Sequence, residues 1–207
     1  FMAKPFSDEA GNGMHVHLSV VDKDGKNVFT MDKNKQPQGL FSHAIAGLLK
    51  TTPDFLSFYA PHSNSYRRLV HNGDHAPTTL SWGNENRTAL IRLPEASAEA
   101  TRLEFRVASA DSNPYLVFAS VLASVYAGIQ GKLQHDKETI GNAHEKHPPS
   151  LGVTWREAVE KTSVSSLVKD FFGEQFQQCY TCVKESEIKR FESTITDFEY
   201  HSYLRSL

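Results

Sequence analysis

The 207-residue sequence lacks a long apolar run, has only two cysteines and carries almost no net charge. A helix that crosses a membrane needs roughly 18 or more apolar residues in a row, so we expect no such helix and no membrane partner. Two cysteines do not form a disulfide framework, which favours a reducing, cytoplasmic location. The formal net charge of −2 argues against nucleic-acid binding through bulk positive charge.

The composition is that of an ordinary globular protein, with 39% hydrophobic and 22% charged residues. A chain of this length can bury a sizeable core as one large or two small domains. The sequence begins FMAKPF, with Phe1 before Met2. We therefore expect it to be a fragment of a longer protein.

Alternating apolar and polar residues predict strands at residues 1–5, 14–21, 78–82, 88–94 and 101–107. Helices are predicted at residues 39–50, from Pro53 through residue 60, and over residues 112–133, where Asn113 is the cap and Pro114 takes the first position. From Thr154 to its end the chain is predicted to be helical, with a break at Gly173 and a final helix near residues 174–200. Residues 61–77 are predicted to form a long loop, and the polar residues 134–152 are predicted to form an exposed surface segment.

Positions 11 to 20 read GNGMHVHLSV, which is the most informative strand of the sequence. Side chains two residues apart on a strand project from one face, so His15, His17 and Ser19 are predicted to point the same way. Two imidazoles in this arrangement could bind one metal ion or phosphate group. The alternative is a pair of histidines on a solvated strand face, and the motif alone leaves both interpretations open.

The segment RLEFR places Glu104 between Arg102 and Arg106 on one face of a predicted strand. One interpretation is a solvated row of charges that neutralise each other. The other is a site in which the arginines bind an anionic substrate while the glutamate binds a cation.

Four further arginines precede this segment. NSYRRLV contains Arg67 and Arg68, and NRTALIRLP contains Arg87 and Arg92. Because Arg87 and Arg92 are five residues apart, they would point to opposite faces of one continuous strand, and we expect Arg87 to lie in the preceding loop. Together with the glutamate and the histidine pair, the arginines suggest a site for a polyanion and a metal, with phosphate the foremost candidate.

Other signals are interpreted as incidental. CYTC, with Cys179 and Cys182, has the spacing of a redox pair but lies in a predicted helix without a second pair. His144 and His147 lie in a polar segment and are expected to be solvated. A zinc hydrolase built on the histidine pair would lack a clear third ligand and an evident general base.

Four blocks, GNGMHVHLSV, NSYRRLV, NRTALIRLP and RLEFRVASADSNPYLVFASVLAS, resemble the glutamine synthetase family in order and spacing. The resemblance covers residues 1–131 closely and the mostly helical tail, residues 132–207, more loosely. It implies that residues 1–207 are the carboxy-terminal portion of that family's catalytic domain. It further implies an α+β fold, in which a curved antiparallel sheet backed by helices carries the site, and a homo-oligomeric ring in the full-length protein.

The resemblance also implies a chemistry that uses ATP and Mg²⁺ or Mn²⁺. In the family, ATP phosphorylates the side-chain carboxylate of glutamate, and ammonia or an amine then displaces the phosphate. The family's metal ligands match His15 and Glu104. Its glutamate contacts match Gly11, where the missing side chain allows a close approach, and Arg68 and Arg106.

The family's nucleotide contacts match His17, Ser19, Arg87 and Arg92. The resemblance implies that Arg87 also acts on the transition state and is therefore catalytic. His75 lies nearest to the place of a glutamate in the family's flap, which shields the intermediate, and we take His75 as its catalytic counterpart.

Three departures from the family pattern affect the expected site. The flap reads VHNGDHAP, one residue longer than the pattern, with Asp74 and His75 in place of the glutamate that helps bind ammonium. Ala10 replaces an asparagine that contacts the substrate, and Glu99 replaces a lysine that contacts the nucleotide. These departures make the sequence more similar to the γ-glutamylpolyamine synthetase-like branch than to the enzymes that use ammonia.

We therefore predict an ATP-dependent ligase that joins ammonia or an organic amine to the γ-carboxylate of glutamate through γ-glutamyl phosphate. The family's other glutamate ligands precede this segment, so the isolated chain is expected to be inactive. The alternative is a non-catalytic family member that serves in structure or assembly. Paired glutamates upstream of Phe1, spaced Glu-x-Glu, would favour the ligase.

Overall fold

The computed structural model of the chain describes residues 1–70, 76–151 and 153–205. Its strands are β1 (Val16–Leu18), β2 (Thr30–Met31), β3 (Pro37–Gln38), β4 (Trp82–Asn84), β5 (Ile91–Leu93) and β6 (Leu103–Phe105). Its helices are α1 (Leu40–Tyr59), α2 (Ser63–Arg68), α3 (Pro114–Gln130), α4 (Ala143–Lys146), α5 (Trp155–Val164), α6 (Ser166–Phe172), α7 (Glu174–Glu192) and α8 (Asp197–Tyr203). Helices packed against a four-stranded sheet confirm the expected α+β class.

The main sheet has the strand order β1, β6, β5, β4, and it is mixed. β6 pairs antiparallel with β1 and with β5, whereas β4 and β5 run parallel. The expectation of an antiparallel sheet is therefore wrong for the β4–β5 pair. Each of these strands is three residues long, about 10 Å, so the link at residues 85–90 is long enough to return to the starting edge without a crossover helix.

The predicted strand at residues 1–5 is not observed. The segment is held by individual hydrogen bonds instead. The Asn12 N–H donates to the Ala3 carbonyl at 2.8 Å, and the Lys4 N–H donates to Asn64 Oδ1 at 2.7 Å. Residues 1–5 thus lie against the glycine-rich stretch and helix α2.

Each strand of the main sheet has one apolar and one polar face. Val16, Leu103, Phe105 and Ile91 are buried in the core that α1 and α3 complete. The residues between them along the strands project from the opposite face, because successive side chains on a strand alternate. The alternation seen in the sequence therefore separates the core face from the face that carries the candidate site.

Helix α1 runs without interruption through Pro53, which was predicted to begin a second helix. Proline removes one backbone donor and costs about 3 kcal/mol inside a helix. Buried residues on both sides of Pro53, including Phe41, Ile45, Phe55 and Phe58, pack into the same core. This shared burial outweighs the local cost and keeps the helix continuous. The predicted loop at residues 61–77 also contains a helix, α2.

Helices α1 and α3 touch at two glycines. A Cβ atom at Gly128 would lie 2.7 Å from the Cα of Gly47 and would collide with the carbonyl oxygen of His43. Beside this contact, the Thr51 hydroxyl donates to the Ser124 hydroxyl at 2.6 Å. The close approach of the two backbones sets the distance between the helices that support the sheet.

The described part of the predicted surface segment, residues 134–151, is packed more closely than predicted. The Thr139 N–H donates to the Trp82 carbonyl at 2.9 Å, and the Trp82 indole N–H donates to the Asp136 carbonyl at 2.8 Å. His144 is buried, and His147 Nε2 lies 2.8 Å from the Thr139 hydroxyl. The expectation that both histidines are solvated is therefore wrong, because this stretch covers β4.

From Thr154 to Tyr203 the chain is mostly helical, as predicted. Thr154 and Glu157 form a capping box at the start of α5, and Gly173, with φ of 86°, separates α6 from α7. The predicted final helix at residues 174–200 is divided, because a second capping box at Thr196 and Glu199 begins α8.

None of the helices in the described ranges combines the length and apolar character that a membrane crossing requires. Cys179 and Cys182 are exposed on α7 and have free thiols.

The glycine contact makes a testable prediction about the stability of the fold. The substitution Gly47→Ala should lower the unfolding free energy by about 1–3 kcal/mol, because the new methyl group has no space between the helices. Chemical denaturation measures this loss. Ala119→Ser is the matched control, since it adds one heavy atom on the exposed side of α3 and should have little effect. Equal stability of Gly47→Ala and the unsubstituted protein would contradict the packing described here.

Candidate active site

Three charged or polar residues form a row across the main sheet. The strand register pairs His17 of β1 with Glu104 of β6, and Glu104 with Arg92 of β5. Paired residues on neighbouring strands project from the same face, so all three lie on the polar face of the sheet. His15 joins this face, since its Nδ1 is 2.8 Å from Glu104 Oε1. The structure thus places His15 and His17 on one side of the strand, as predicted.

Glu104 is the centre of the row. Its side chain is only 6% exposed, and the Arg92 Nη1 donates to its Oε2 at 2.9 Å. The Arg106 Nε and the His17 Nε2 each lie 3.8 Å from its Oε1. Burial alone would raise the pKa of Glu104, but the hydrogen bond from Arg92 and the charges of Arg106, Arg92 and, at acidic pH where it is protonated, His15 outweigh it and lower the pKa. Glu104 is therefore a carboxylate at neutral pH.

His15 is the neighbour of Glu104 best suited to bind a metal. Burial and the charges of Arg106 and Arg68 lower the pKa of His15, and the Glu104 carboxylate only partly opposes them. The imidazole is therefore neutral at neutral pH, which is the form that ligates metals. Since the carboxylate can only accept, the His15 Nδ1 carries the proton of their hydrogen bond.

The donor set of His15 and Glu104 fits part of a divalent cation site. A divalent cation that took the place of the shared proton would fit with little movement, because neighbouring ligands of an octahedral Mg²⁺ ion at about 2.1 Å lie about 3 Å apart, close to the 2.8 Å between His15 Nδ1 and Glu104 Oε1. Within residues 1–70, 76–151 and 153–205, no group of three or more histidine, cysteine, aspartate or glutamate residues is placed to hold a metal. The described residues thus offer two candidate ligands, His15 and Glu104.

Arg68, expected to contact glutamate, is anchored to backbone. Its Nη1 donates to the carbonyls of Val107 and Ala108 at 2.8 and 3.4 Å, and its Nη2 donates to the carbonyl of Arg106 at 3.1 Å. Burial and the charge of Arg106 lower the pKa of Arg68 to about 10, so it remains cationic at neutral pH. Arg68 therefore fastens the chain that leaves β6 while it supplies positive charge to the site.

Arg106 is anchored in the same way. Its Nη1 donates to the carbonyls of Arg87 and Ala89, the latter at 3.2 Å. Burial is the main reason that the pKa of Arg106 is lowered, and Glu104 partly opposes this effect. The two buried arginines, Arg68 and Arg106, hold the backbone on either side of the site.

A cavity of about 530 Å³ collects the residues that the sequence predicted to bind substrate. Gly11, Arg68 and Arg106 line it together with His15. A Cβ atom at Gly11 would lie 2.7 Å from the Ala3 carbonyl oxygen, so glycine is required there for the close approach of residues 1–5. The cavity offers a cationic wall of the kind that binds carboxylate or phosphate groups.

The residues expected to contact the nucleotide lie on or beside the polar face of the sheet. Arg92 belongs to the row on β5, and the Arg102 Nε donates to His17 Nδ1 at 3.2 Å. Ser19 follows β1 and is exposed. Arg87 is exposed in the link between β4 and β5, outside the strand, as expected.

Two further expectations concern the flap and the substituted positions. His75, the expected catalytic residue of the flap, and Asp74 lie outside the described residues. Ala10 lines the cavity with no polar side chain to offer a substrate, and Glu99 is exposed in a short 3-10 helix, Ala98–Ala100.

Glu85 is a site residue that the sequence analysis did not identify. It follows β4, and its Oε2 accepts a hydrogen bond from the Arg92 Nη2 at 2.8 Å. Strand alternation does not indicate this contact, because Glu85 lies in the link between the strands. The useful signal is the segment NEN, whose asparagines indicate a turn in which one residue can take a left-handed conformation.

The sequence matches a family model described as the glutamine synthetase catalytic domain over residues 1–203. It is 34% identical over 206 residues to a γ-glutamylputrescine synthetase from Escherichia coli strain K12, an alignment of 100% of this chain and 43% of the relative. It is 35% identical over 199 residues to a γ-glutamylethanolamide synthetase from Streptomyces coelicolor, with 96% of this chain and 42% of the relative aligned.

A glutamine synthetase from Methanosarcina mazei is 36% identical over 219 residues, which cover 100% of this chain and 48% of the relative. The chain therefore spans less than half the length of these curated relatives. Identity to the relative named as a glutamine synthetase is as high as identity to the two named as γ-glutamylputrescine and γ-glutamylethanolamide synthetases, so identity does not distinguish these activities.

The anchoring of Arg68 makes a testable prediction, for which the adjacent Arg67 supplies the control. Arg68→Lys should lower the unfolding free energy by about 1–3 kcal/mol, because an ammonium group cannot span three carbonyls as a planar guanidinium does. Arg67→Lys changes the adjacent, exposed arginine and should be neutral. Chemical denaturation of both variants compares the two positions. Similar stabilities would show that the three backbone contacts do not support the fold.

Proposed function

The chain belongs to the glutamine synthetase family, and we propose that it forms the carboxy-terminal part of an ATP-dependent ligase. The reaction joins ammonia or an organic amine to the γ-carboxylate of glutamate through γ-glutamyl phosphate. The observation that carries the proposal is the Glu104 row together with the adjacent His15, which bring a buried carboxylate, a neutral imidazole and an arginine together on one face of the sheet. A purely structural member of the family would not need this arrangement.

His15 and Glu104 would hold one divalent cation. The support is their 2.8 Å separation, the lowered pKa of each group and the close fit of this separation to the spacing of cation ligands. When bound, the cation neutralises negative charge on the transferred phosphoryl group. The other ligands come from outside the described residues, and we propose that activity requires the rest of a longer, ring-forming protein in the cytoplasm.

Glutamate would bind in the 530 Å³ cavity. Arg68 and Arg106 supply positive charge for its carboxylates, and the backbone at Gly11 allows close approach. Both arginines are fixed by hydrogen bonds to backbone carbonyls. Their positions are therefore set before the substrate arrives, which reduces the entropy lost on binding.

The nucleotide would bind along the polar face of the sheet, where His17, Ser19, Arg87 and Arg92 contact it. A carboxylate oxygen of glutamate attacks the γ-phosphorus, and the bond from phosphorus to the ADP oxygen breaks. Arg87 and Arg92 offset the charge that spreads over the phosphoryl oxygens. The Arg87 side chain is exposed, whereas Arg92 is held in place by its contact with Glu104.

The amine nitrogen then attacks the acyl carbon of γ-glutamyl phosphate, and the bond from that carbon to the phosphate oxygen breaks. The nitrogen loses a proton, and we assign the role of its acceptor to His75. A histidine in place of a flap glutamate also favours an organic amine, because it removes the negative charge that a small ammonium ion requires. Two relatives are named as γ-glutamylputrescine and γ-glutamylethanolamide synthetases, which is in line with this proposal.

The metal assignment can be tested by calorimetry with Mn²⁺. Glu104→Gln in the full-length protein keeps the shape of the side chain and removes its charge, so Mn²⁺ affinity should fall by at least tenfold. Glu99→Gln removes an exposed carboxylate and should leave the affinity unchanged. Unchanged Mn²⁺ binding in Glu104→Gln would refute the assignment of this residue as a ligand.

The second substrate can be identified from kcat/KM values for ammonium, ethylamine and putrescine at one pH. We expect the full-length enzyme to prefer an organic amine, and His75→Glu to shift the preference towards ammonium. A tenfold or larger preference of the unsubstituted enzyme for ammonium, about 1.4 kcal/mol in transition-state binding, would instead indicate glutamine synthesis. ATP binding without reaction of any amine would favour a non-catalytic member of the family.

A further inference from the structure

Glu85 has a backbone conformation that glutamate seldom adopts. Its φ of 50° lies in the left-handed region, which glycine and asparagine enter more easily because a larger side chain crowds the backbone there. Among the described residues, the only other non-glycine residues with positive φ are Lys35 and Lys132. A strained residue persists when its contacts compensate for the strain, and such residues are frequent at functional sites.

Both carboxylate oxygens of Glu85 make specific contacts. Oε2 accepts from the Arg92 Nη2 at 2.8 Å, and Oε1 accepts from the backbone N–H of Glu95 at 2.5 Å. The hydrogen bond from Arg92 is the main reason that the pKa of Glu85 is lowered. These contacts need a carboxylate on a left-handed residue, which a glycine at this position could not supply.

Glu85 and Glu104 together hold the Arg92 guanidinium from two sides. Its Nη1 donates to Glu104 at 2.9 Å and its Nη2 to Glu85 at 2.8 Å. Since a guanidinium group is planar, two contacts at its two ends define both its position and its orientation. Each terminal nitrogen carries two hydrogens, so each keeps one for a further acceptor. The Arg92 side chain is 18% exposed and thus remains accessible.

A structural explanation of Glu85 is that it closes the end of the β4–β5 pair. Its backbone N–H donates to the Leu93 carbonyl at 3.1 Å, and its side chain binds the N–H of Glu95. This explanation accounts for Oε1 but not for Oε2. The Glu85 side chain is 49% exposed, and an ion pair at such a position adds little stability. The bond to Arg92 therefore has its main effect on the position of the arginine.

We propose that Glu85 is a positioning residue for nucleotide binding, because it holds Arg92 in the orientation that meets the phosphate groups. The inference rests on the proposed function, in which Arg92 contacts ATP. Glu85 itself touches the arginine and not the nucleotide. The two carboxylates have separate roles, since Glu104 also belongs to the proposed metal pair with His15, whereas Glu85 orients Arg92 through Oε2 and binds the Glu95 N–H through Oε1.

The test compares Glu85→Gly and Glu85→Gln in the full-length enzyme. Glu85→Gly relieves the backbone strain and removes the carboxylate, and the KM for ATP should rise by about tenfold. Glu85→Gln keeps an acceptor for Arg92, so the rise should be smaller, about threefold. The KM for glutamate should stay within about twofold, because Arg68 and Arg106 are unchanged. The Kd of Mg·ATP from calorimetry should follow the KM for ATP.

Two controls separate positioning from strain. Lys132→Gly relieves a left-handed residue after α3, with φ of 46°, and should leave both KM values unchanged. In an Arg92→Lys background, Glu85→Gly should add no further change in the KM for ATP, because lysine has a single nitrogen that two carboxylates cannot orient.

Three outcomes would overturn the inference. An unchanged KM for ATP in Glu85→Gly would show that Arg92 does not need this contact. An equal rise in both KM values, together with a lower melting temperature, would show that Glu85 only closes the strand pair. Absence of Mg·ATP binding by the unsubstituted full-length protein would overturn the proposed function itself, and this inference with it.

Discussion

A buried carboxylate in the middle of the sheet is the constraint on which the candidate site depends. Taking an ion such as Glu104 out of water costs several kcal/mol unless nearby charges and hydrogen bonds compensate for it. The strand register supplies this compensation, because it brings Arg92 opposite Glu104 and places His15 within 2.8 Å. A slip of one residue would turn Glu104 into the apolar core and expose Phe105. The pairing of the strands and the charge balance of the site therefore depend on each other.

The arginines serve the backbone as well as the site. Arg68 and Arg106 donate to carbonyls in segments that have few regular strand partners, at residues 106–108 and 87–89. A buried carbonyl without a donor would be costly, so these guanidinium groups complete the hydrogen bonding of the fold. Loss of activity in a variant of either arginine would thus have two causes, and stability has to be measured alongside catalysis.

Local sequence patterns predicted the parts of the molecule that depend on local geometry. Alternation identified the face shared by His15 and His17, and the Asn113 cap identified the start of α3. Features that depend on distant residues were not predictable in this way. The continuity of α1 through Pro53 results from packing against α3, and the burial of His144 results from the chain that covers β4. Glu85 was missed because its partner, Arg92, lies across a turn rather than along a strand.

The contact between Gly47 and Gly128 limits how this sequence can diverge. Each position already has the smallest side chain, so a larger residue at one cannot be offset by a smaller residue at the other. The remaining response is a shift of α1, whose Tyr59 carbonyl accepts hydrogen bonds from Ser109 and Ser112 just beyond β6. Such a shift would displace the segment after β6 and, with it, the strand that carries Glu104. Each single substitution at the helix crossing therefore carries a stability cost that a smaller residue on the other helix cannot relieve, and only coordinated changes in the sheet can offset it.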